Sequence, residues 1–346
     1  MARIRSYGRF LRCAWLALTM ALVTADLPAQ ATTDKPREWK LSVAVGPAFA
    51  LGKAGERWAK LVGEKSNGAL VVVPGYGAAL AQRDPAREFA ALREGAADLA
   101  VGSTLYWSAQ VNALAVVGLP WLAPDATQLD ALTRDTMKER LFLALEQAGV
   151  VPLALAPLGY RSLATTSRAV GTPDDAAGLR VRTTATPFLT DVYAGLAMLP
   201  QATSFAAAQA AFRAGTLDAQ EGTPATFGAA RLDAVGVRHV LLWEAIAEIA
   251  IFAVNATTWQ GWTDAQRALV SDAAQEVARE LPSLVRAEND AALTALRKHG
   301  VTVTRLTASG RAAFAAAGRG VYERWAAVAG DDLVRAAEVA VKAAAP

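Results

Sequence analysis

The sequence predicts an α/β fold of two lobes braced by a long helix near the C-terminus. Three observations indicate this architecture. Strand-like and helix-like segments alternate through the first half, an Arg-x-Gly-x-x-Asp pattern recurs at an offset of 120 residues, and helical periodicity runs over residues 262–299. Alternation of strands and helices favours a largely parallel sheet, and a repeated unit favours two similar lobes.

The first 31 residues have the pattern of a secretory signal peptide. Four arginines precede an apolar run over 13–23 that is too short to span a bilayer comfortably, and Ala29, Gln30 and Ala31 form a small-x-small cleavage site. A short membrane anchor or an ordinary buried helix is the alternative. We expect cleavage and export to the periplasm, with residues 32–346 as the soluble mature chain.

Composition excludes several classes of function. The signal carries four of the 35 basic and one of the 32 acidic residues, so the mature chain holds 31 of each and gives no reason to expect a nucleic-acid or membrane partner. The single cysteine, Cys13, lies in the signal, which leaves the mature chain without a thiol. The two histidines lack metal-ligand spacing, and we find no P-loop, complete Rossmann fingerprint or serine elbow. We therefore expect no cofactor, no metal site and no catalytic residue.

The alternating elements can be placed individually. Strands are predicted over 39–45, 69–73 and 98–101, with helices over 53–65 and 84–94 between them. The second strand is apolar on both faces, as expected of a buried parallel strand.

The internal repeat consists of a helix that ends at a glycine, followed by an aspartate that leads into a strand. The matched positions are Arg93 with Arg213, Gly95 with Gly215, and Asp98 with Asp218. Alanine bias could produce part of this match, but the shared charged and glycine positions favour two structurally similar lobes.

The C-terminal third is helical. Thr263 and Gln266 form a capping box at the start of the long helix, and Pro282 inside it predicts a kink or a break. A short strand over 301–306 and further helices follow.

These elements give a domain prediction. The first lobe covers 32–156 with contributions from about 242–300, and the second covers 157–241 with contributions from the C-terminal segment. The long helix over 262–299 spans both lobes, and residues 300–346 form the C-terminal strand and helices.

A series of short motifs follows in order along the chain. They are Gly-Leu-Pro-Trp-Leu from Gly118, Gly-Tyr-Arg-Ser from Gly159, Thr-Pro-Asp-Asp from Thr172, Gly-Leu-Arg-Val-Arg ending at Arg182, Phe205, Gly-Thr-Leu-Asp-Ala-Gln-Glu ending at Glu221, Asn-Ala-Thr-Thr-Trp from Asn255 and His-Gly-Val-Thr-Val from His299. In order and spacing they resemble the DctP-type substrate-binding subunits of tripartite ATP-independent periplasmic (TRAP) transporters. The resemblance covers nearly all of the mature chain.

This resemblance implies a two-lobed fold like that of type II periplasmic binding proteins, with the ligand in the cleft between the lobes. It implies a receptor without catalysis, which hands a small organic acid to the membrane subunits of a TRAP permease. A receptor for another importer class and a secreted enzyme on a similar scaffold are the alternatives. Some members bind their ligand through a metal ion, and the sequence leaves that mode open.

The resemblance also identifies candidate ligand contacts. Arg182 occupies the position of a family arginine that forms a two-point salt bridge with the substrate carboxylate, and the planar guanidinium suits that task. Arg161 resembles a second arginine that assists in some members; a lobe-crossing ion pair is the alternative. Phe205 matches an aromatic residue that packs on the ligand, with plain core burial as the alternative.

Gly222 departs from the family pattern. Some members carry an asparagine after the glutamate that Glu221 matches. With glycine here, the asparagine's hydrogen bond to the carboxylate is absent or is replaced by a backbone N–H or water, which argues against a sugar acid. Further candidates lie in a strand-like run or after strand ends, where α/β folds place ligand contacts. They are Trp243, Glu244, Tyr76, Tyr106 and Trp107. Their aromatic rings favour a small aliphatic or aromatic acid.

Overall fold

Eleven β-strands in the described part of the chain organise the fold. A computed structural model describes residues 37–345, apart from the side chain of Phe205, so the predicted signal peptide lies outside the described residues. The strands are β1 (Glu38–Val43), β2 (Val71–Tyr76), β3 (Leu99–Ser103), β4 (Val150–Tyr160), β5 (Ser162–Thr165), β6 (Arg180–Thr183), β7 (Leu199–Ala202), β8 (Ala219–Gly222), β9 (His239–Leu242), β10 (Ala247–Asn255) and β11 (Thr302–Arg305).

Helices connect and cover these strands. They are α1 (Ala50–Lys65), α2 (Glu88–Arg93), α3 (Thr104–Trp107), α4 (Ala115–Gly118), α5 (Ala126–Ala131), α6 (Asp135–Gln147), α7 (Pro173–Ala176), α8 (Pro187–Gly195), α9 (Phe205–Arg213), α10 (Pro224–Ala229), α11 (Ala256–Gly261), α12 (Asp264–Lys298), α13 (Ala308–Ala317), α14 (Arg319–Ala329) and α15 (Asp331–Ala343).

The strands form two mixed sheets. The first has the order β2-β1-β3-β10-β4, and the second has the order β11-β9-β5-β8-β6-β7. In the first sheet β1 pairs in parallel with β2 and β3, while β10 runs antiparallel to β3 and β4. In the second, β6 pairs in parallel with β7 and β8, while β5 runs antiparallel to β8 and β9. This confirms the predicted α/β fold with two lobes.

The repeated aspartate has the same function in both sheets. Asp98 precedes β3, and its carboxylate accepts the backbone N–H of Lys40 on the neighbouring strand β1 at 2.8 Å. Asp218 precedes β8, and its carboxylate accepts the backbone N–H of Arg180 on the neighbouring strand β6 at 2.9 Å. Each aspartate thus satisfies a backbone donor one residue before its parallel ladder begins, at Leu41 with Leu99 in the first sheet and at Val181 with Ala219 in the second.

The chain crosses between the sheets in two adjacent places. Arg161 alone separates β4 of the first sheet from β5 of the second, and residues 243–246 separate β9 from β10. The two crossings are hydrogen-bonded to each other, because Arg161 N–H donates to the Ile246 carbonyl at 2.9 Å and Trp243 Nε1 donates to the Arg161 carbonyl at 3.1 Å. The lobe boundaries at 156 and 241 stay predictions.

Helix α12 is the third link between the sheets. It packs on β4 and α1 of the first sheet and on α10, which follows β8 of the second. The predicted capping box of Thr263 and Gln266 is present, and the helix continues through Pro282 rather than breaking there. Its buried apolar face, which includes Val277 and Leu281 before the proline and Leu293 after it, holds the helix in place on both sides of Pro282. No helix within residues 37–345, α12 included, is both long and apolar enough to cross a membrane.

A buried carboxyl group, Glu88, lies at the start of α2. It is fully buried, and it accepts hydrogen bonds from Ser42 Oγ at 2.9 Å and from Trp107 Nε1 at 3.3 Å. Burial raises the pKa of Glu88 to about 7, although both hydrogen bonds act to lower it. The folded protein therefore keeps this group protonated at pH values where the unfolded chain releases the proton.

We expect the Glu88→Gln variant to lose one component of the pH dependence of stability. Because the folded pKa is raised, Glu88 contributes most stability below its unfolded pKa, and this contribution is lost as the pH rises from about 4.5 through about 7. The loss amounts to about 3 kcal/mol in the wild type. Urea unfolding of both proteins between pH 4.5 and 8 measures it. Parallel curves would contradict the assignment.

Candidate ligand-binding cleft

A cleft of about 640 Å³ lies between residues of the two sheets. The first sheet and its helices contribute Tyr106 and Glu248, and the second contributes Arg182 and Glu221. Arg161, from the crossing between them, also lines the cleft. Several apolar side chains complete the walls, namely Val45, Phe49, Leu51, Leu158 and Val285.

Arg161 forms a buried ion pair with one carboxylate from each sheet. Its Nε and Nη2 donate to Oε2 of Glu221 at 2.8 and 2.7 Å, and its Nη1 donates to Oε2 of Glu248 at 3.2 Å. Burial acts to lower the pKa of Arg161. The negative charges of Glu221 and Glu248 raise this pKa by more than burial lowers it, so the pKa of Arg161 is raised. This is the lobe-crossing ion pair that the sequence left as an alternative, and it also faces the cleft.

Glu221 holds this network in place. Its side chain is fully buried, and its second oxygen accepts the backbone N–H of Thr184 at 3.0 Å and the Thr184 hydroxyl at 2.9 Å. Burial acts to raise the pKa of Glu221, but the charges of Arg161 and Arg182 and the donated hydrogen bonds outweigh it, so the pKa is lowered. Four donors fill the approximately four acceptor positions of a carboxylate. Glu221 therefore positions Arg161 and Thr184 rather than accepting a hydrogen bond from a ligand.

Arg182 is the second guanidinium of the cleft. It lies near the end of β6, and its Nε donates to the carbonyl of Thr203 at 3.1 Å. Burial lowers the pKa of Arg182, the Glu221 charge opposes this shift, and the Arg161 charge adds to it. An arginine stays protonated in proteins even so. Arg161 and Arg182 therefore bring two guanidinium groups into one cleft, beside the carboxylates of Glu221 and Glu248.

Arg180, two residues earlier on β6, has a different environment. Its Nε and Nη2 make a two-point contact with the carboxylate of Asp218 at 2.8 and 2.7 Å, and Nη2 also reaches the Gly215 carbonyl at 2.8 Å. Its planar fork is therefore occupied by the repeat aspartate, and Arg180 does not line the cleft.

The structure places two predicted tryptophan contacts in the core. Trp243 is fully buried and packs against Trp121, Tyr193 and Phe314. Trp107 is also fully buried, with its ring on Phe89 and its N–H on Glu88. Neither lines the cleft, so the structure does not bring these two predicted contacts to the candidate site. Tyr106, beside Trp107, does line it, and burial raises its pKa.

Glu244 and Tyr76 also lie away from the cleft. Glu244 forms ion pairs with Arg305 and, at 3.8 Å, Arg311, and it lines a separate groove of about 540 Å³. Tyr76 ends β2 and packs against the core of the first sheet. These two predicted contacts therefore also lie outside the candidate site. Phe205 begins α9, but its side chain lies outside the described residues.

The geometry explains why Gly222 departs from the family pattern. A Cβ atom added there would come within 2.8 Å of Cε1 of Phe227, which is fully buried in the core of the second sheet. Because successive residues of a strand point to opposite faces, Gly222 faces this core while Glu221 faces the cleft. An asparagine at this position would clash with Phe227, and Gly222 itself does not line the cleft.

The sequence analysis missed much of the cleft lining, including four polar residues. Thr184 and Glu248 complete the Arg161 network, and Glu288 and Asn289 reach the cleft from α12. Only the position of Thr184, two residues after Arg182, could have identified one of them. Within the described residues, no group of three or more His, Cys, Asp or Glu side chains is arranged to hold a metal ion.

The chain is also similar to proteins of known structure. The chain is similar to a crystal structure of a TRAP periplasmic solute-binding protein from Ralstonia eutropha H16 with bound (S)-2-acetolactate. The two share 39% identity, with a TM-score of 0.84, over 88% of this chain and 98% of the other.

Two curated proteins are also similar. The C4-dicarboxylate-binding periplasmic protein DctP of Rhodobacter capsulatus is 26% identical over 94% of this chain and 95% of its own length. An uncharacterized protein of Sinorhizobium fredii, y4mM, is 30% identical over 63% of this chain, and the aligned region spans only 40% of that relative.

The family profile decides the classification. The profile of the DctP family, described as "Bacterial extracellular solute-binding protein, family 7", matches residues 41–328, which is most of the chain and includes both sheets, the cleft and α12. The chain therefore belongs to family 7 of the bacterial extracellular solute-binding proteins, the DctP family.

Proposed function

We propose that this solute-binding protein binds a small organic carboxylate in the cleft, with Arg182 as the two-point anchor of the carboxylate. The observation that carries the proposal is the convergence of Arg161 and Arg182 on one cleft in which Glu221 already has its acceptor positions filled. Arg161 is held by Glu221 and Glu248, so we assign it a supporting part. Arg182 is placed to supply the fork of donors that matches a carboxylate.

The walls of the cleft favour a short acid with an apolar part. Val45, Phe49, Leu51 and Leu158 line it together with the ring of Tyr106. The acetolactate bound by the Ralstonia eutropha protein is an acid of this kind.

The proposal includes location and partner. The receptor would act in the periplasm after cleavage of residues 1–31, and it would deliver its solute to the membrane subunits of a TRAP permease. Family membership and the signal-like N-terminal sequence support this step.

A thermal-shift screen of organic acids tests the proposed function. A ligand present at 100 times its dissociation constant adds about 2.7 kcal/mol of stability, which for a chain of this size raises Tm by roughly 5 °C. We expect such a shift with (S)-2-acetolactate or a similar short 2-hydroxy acid. Stabilisation by sugars or amines but by no acid would contradict the proposal, and turnover of a bound acid would indicate an enzyme instead.

A further inference from the structure

Two consecutive residues of α12, Glu288 and Asn289, reach into the cleft. Glu288 Oε2 accepts the backbone N–H of Ala50, the first residue of α1, at 2.6 Å, and Glu288 Oε1 accepts from Nζ of Lys53. Asn289 Oδ1 accepts the backbone N–H of Ala225, at the start of α10, at 3.1 Å. The long helix is therefore fixed at this point to backbone groups on both sides of the cleft.

The N-terminus of α1 holds the Glu288 carboxylate in position. The residue before this helix, Phe49, offers no side-chain cap, and the first turn holds no acidic residue of its own. A negative group is favoured at a helix N-terminus, where unpaired N–H groups and the positive end of the macrodipole lie. Glu288 supplies this negative group from another helix, so its carboxylate cannot move away from the cleft wall without leaving the N-terminus of α1 uncapped.

Charge along the cleft wall then limits what a ligand can carry. Three lining residues are cationic, namely Arg83, Arg161 and Arg182, and four are acidic, namely Asp84, Glu221, Glu248 and Glu288. The charge of Arg161 is shared between Glu221 and Glu248. The partner of Glu288, Lys53, does not line the cleft, and its side chain is 42% exposed, so it offsets the Glu288 charge only in part.

We propose that Glu288 is a charge-selecting residue that restricts the cleft to monocarboxylates and disfavours dicarboxylates. This inference rests on the proposed carboxylate-binding function. One ligand carboxylate is matched by Arg182. A second ligand carboxylate would face a wall whose remaining lining charges are balanced or negative, with the fixed Glu288 carboxylate among them. Like charges that are brought together without water between them weaken binding strongly. Glu288 thus distinguishes this cleft from one suited to the C4-dicarboxylates for which the Rhodobacter capsulatus relative is named.

Two pairs of acids that differ by one charge test the selection. (S)-2-acetolactate and 2-hydroxy-2-methylmalonate are close in shape, as are succinamate and succinate. Calorimetric titration at pH 8 gives the affinity of the wild type and of Glu288→Gln for all four. The Glu288→Gln amide oxygen can still accept the Ala50 N–H, so melting temperature checks that the fold is kept.

We expect the wild type to bind the monoanion of a pair at least about tenfold more tightly than its dianion, and Glu288→Gln to reduce this ratio at least about tenfold. Lys53→Gln, the matched control, should leave the Glu288 charge uncompensated and increase the ratio. An unchanged ratio in Glu288→Gln, or a wild type that prefers dianions, would overturn the inference while leaving the carboxylate function standing. A wild type that binds none of the four acids would contradict the proposed function and this inference with it.

Discussion

Replacement of Arg182 by alanine is expected to weaken binding of the carboxylate solute by roughly 100-fold or more, which corresponds to about 3 kcal/mol. The guanidinium lies in the cleft near the end of β6 and is partly dehydrated there, as the lowered pKa indicates. A carboxylate that loses its two-point partner in such a site keeps the desolvation penalty without the compensating hydrogen bonds. Calorimetric titration with an acid identified by the thermal-shift screen measures the loss.

Two further variants separate the fork from the charge. Arg182→Lys keeps a positive charge but presents it as a point, so we expect an affinity between those of the wild type and the alanine variant. Arg180 lies on the same strand, but its side chain binds Asp218 outside the cleft. Arg180→Ala should therefore keep the wild-type affinity for the acid. If Arg182→Ala bound the acid as tightly as the wild type, another group would be the anchor.

Much of the fold followed from sequence because local signals and packing agree. The repeat aspartates, Asp98 and Asp218, mark equivalent parallel strands in the two sheets. The second strand was predicted over 69–73 as a buried strand, yet β2 runs from Val71 to Tyr76 and its residues are half-buried or exposed. β2 is the edge strand of its sheet, and Pro74, which has no backbone N–H, can lie there without the loss of a hydrogen bond between strands.

The candidate site was only partly predictable, because the sequence does not show which way each side chain points. Tyr106 and Trp107 are neighbours after the same strand, but Tyr106 lines the cleft and Trp107 is fully buried. Which of two adjacent aromatics faces a ligand depends on the backbone direction in a short helix, which composition does not fix. Glu288 and Asn289 lie in a helix that looked like scaffold, and their contacts with Ala50 and Ala225 join positions far apart in sequence.

Arg161→Ala is expected to destabilise the protein by about 3–5 kcal/mol at pH 7. Arg161 compensates two buried carboxylates, Glu221 and Glu248, whose side chains are 0% and 7% exposed. Removal of one partner leaves buried charge without its counterion, which is far more harmful than loss of an exposed ion pair. Urea unfolding monitored by circular dichroism measures the change.

The pH dependence identifies the cause of this loss. In the wild type the pKa of Glu221 is lowered, so its contribution to stability is present above its unfolded pKa and is lost as the pH falls. Without Arg161, burial is opposed mainly by the charge of Arg182 and the Thr184 donors, and we expect the pKa of Glu221 to be raised instead. The variant should then recover stability relative to the wild type as the pH falls from 7 to 5. Arg161→Ala combined with Glu221→Gln removes one of the two unpaired charges, so it should regain part of the lost stability at pH 7. A loss that is the same at both pH values, or that the second substitution deepens, would mean that Arg161 acts through packing rather than through charge.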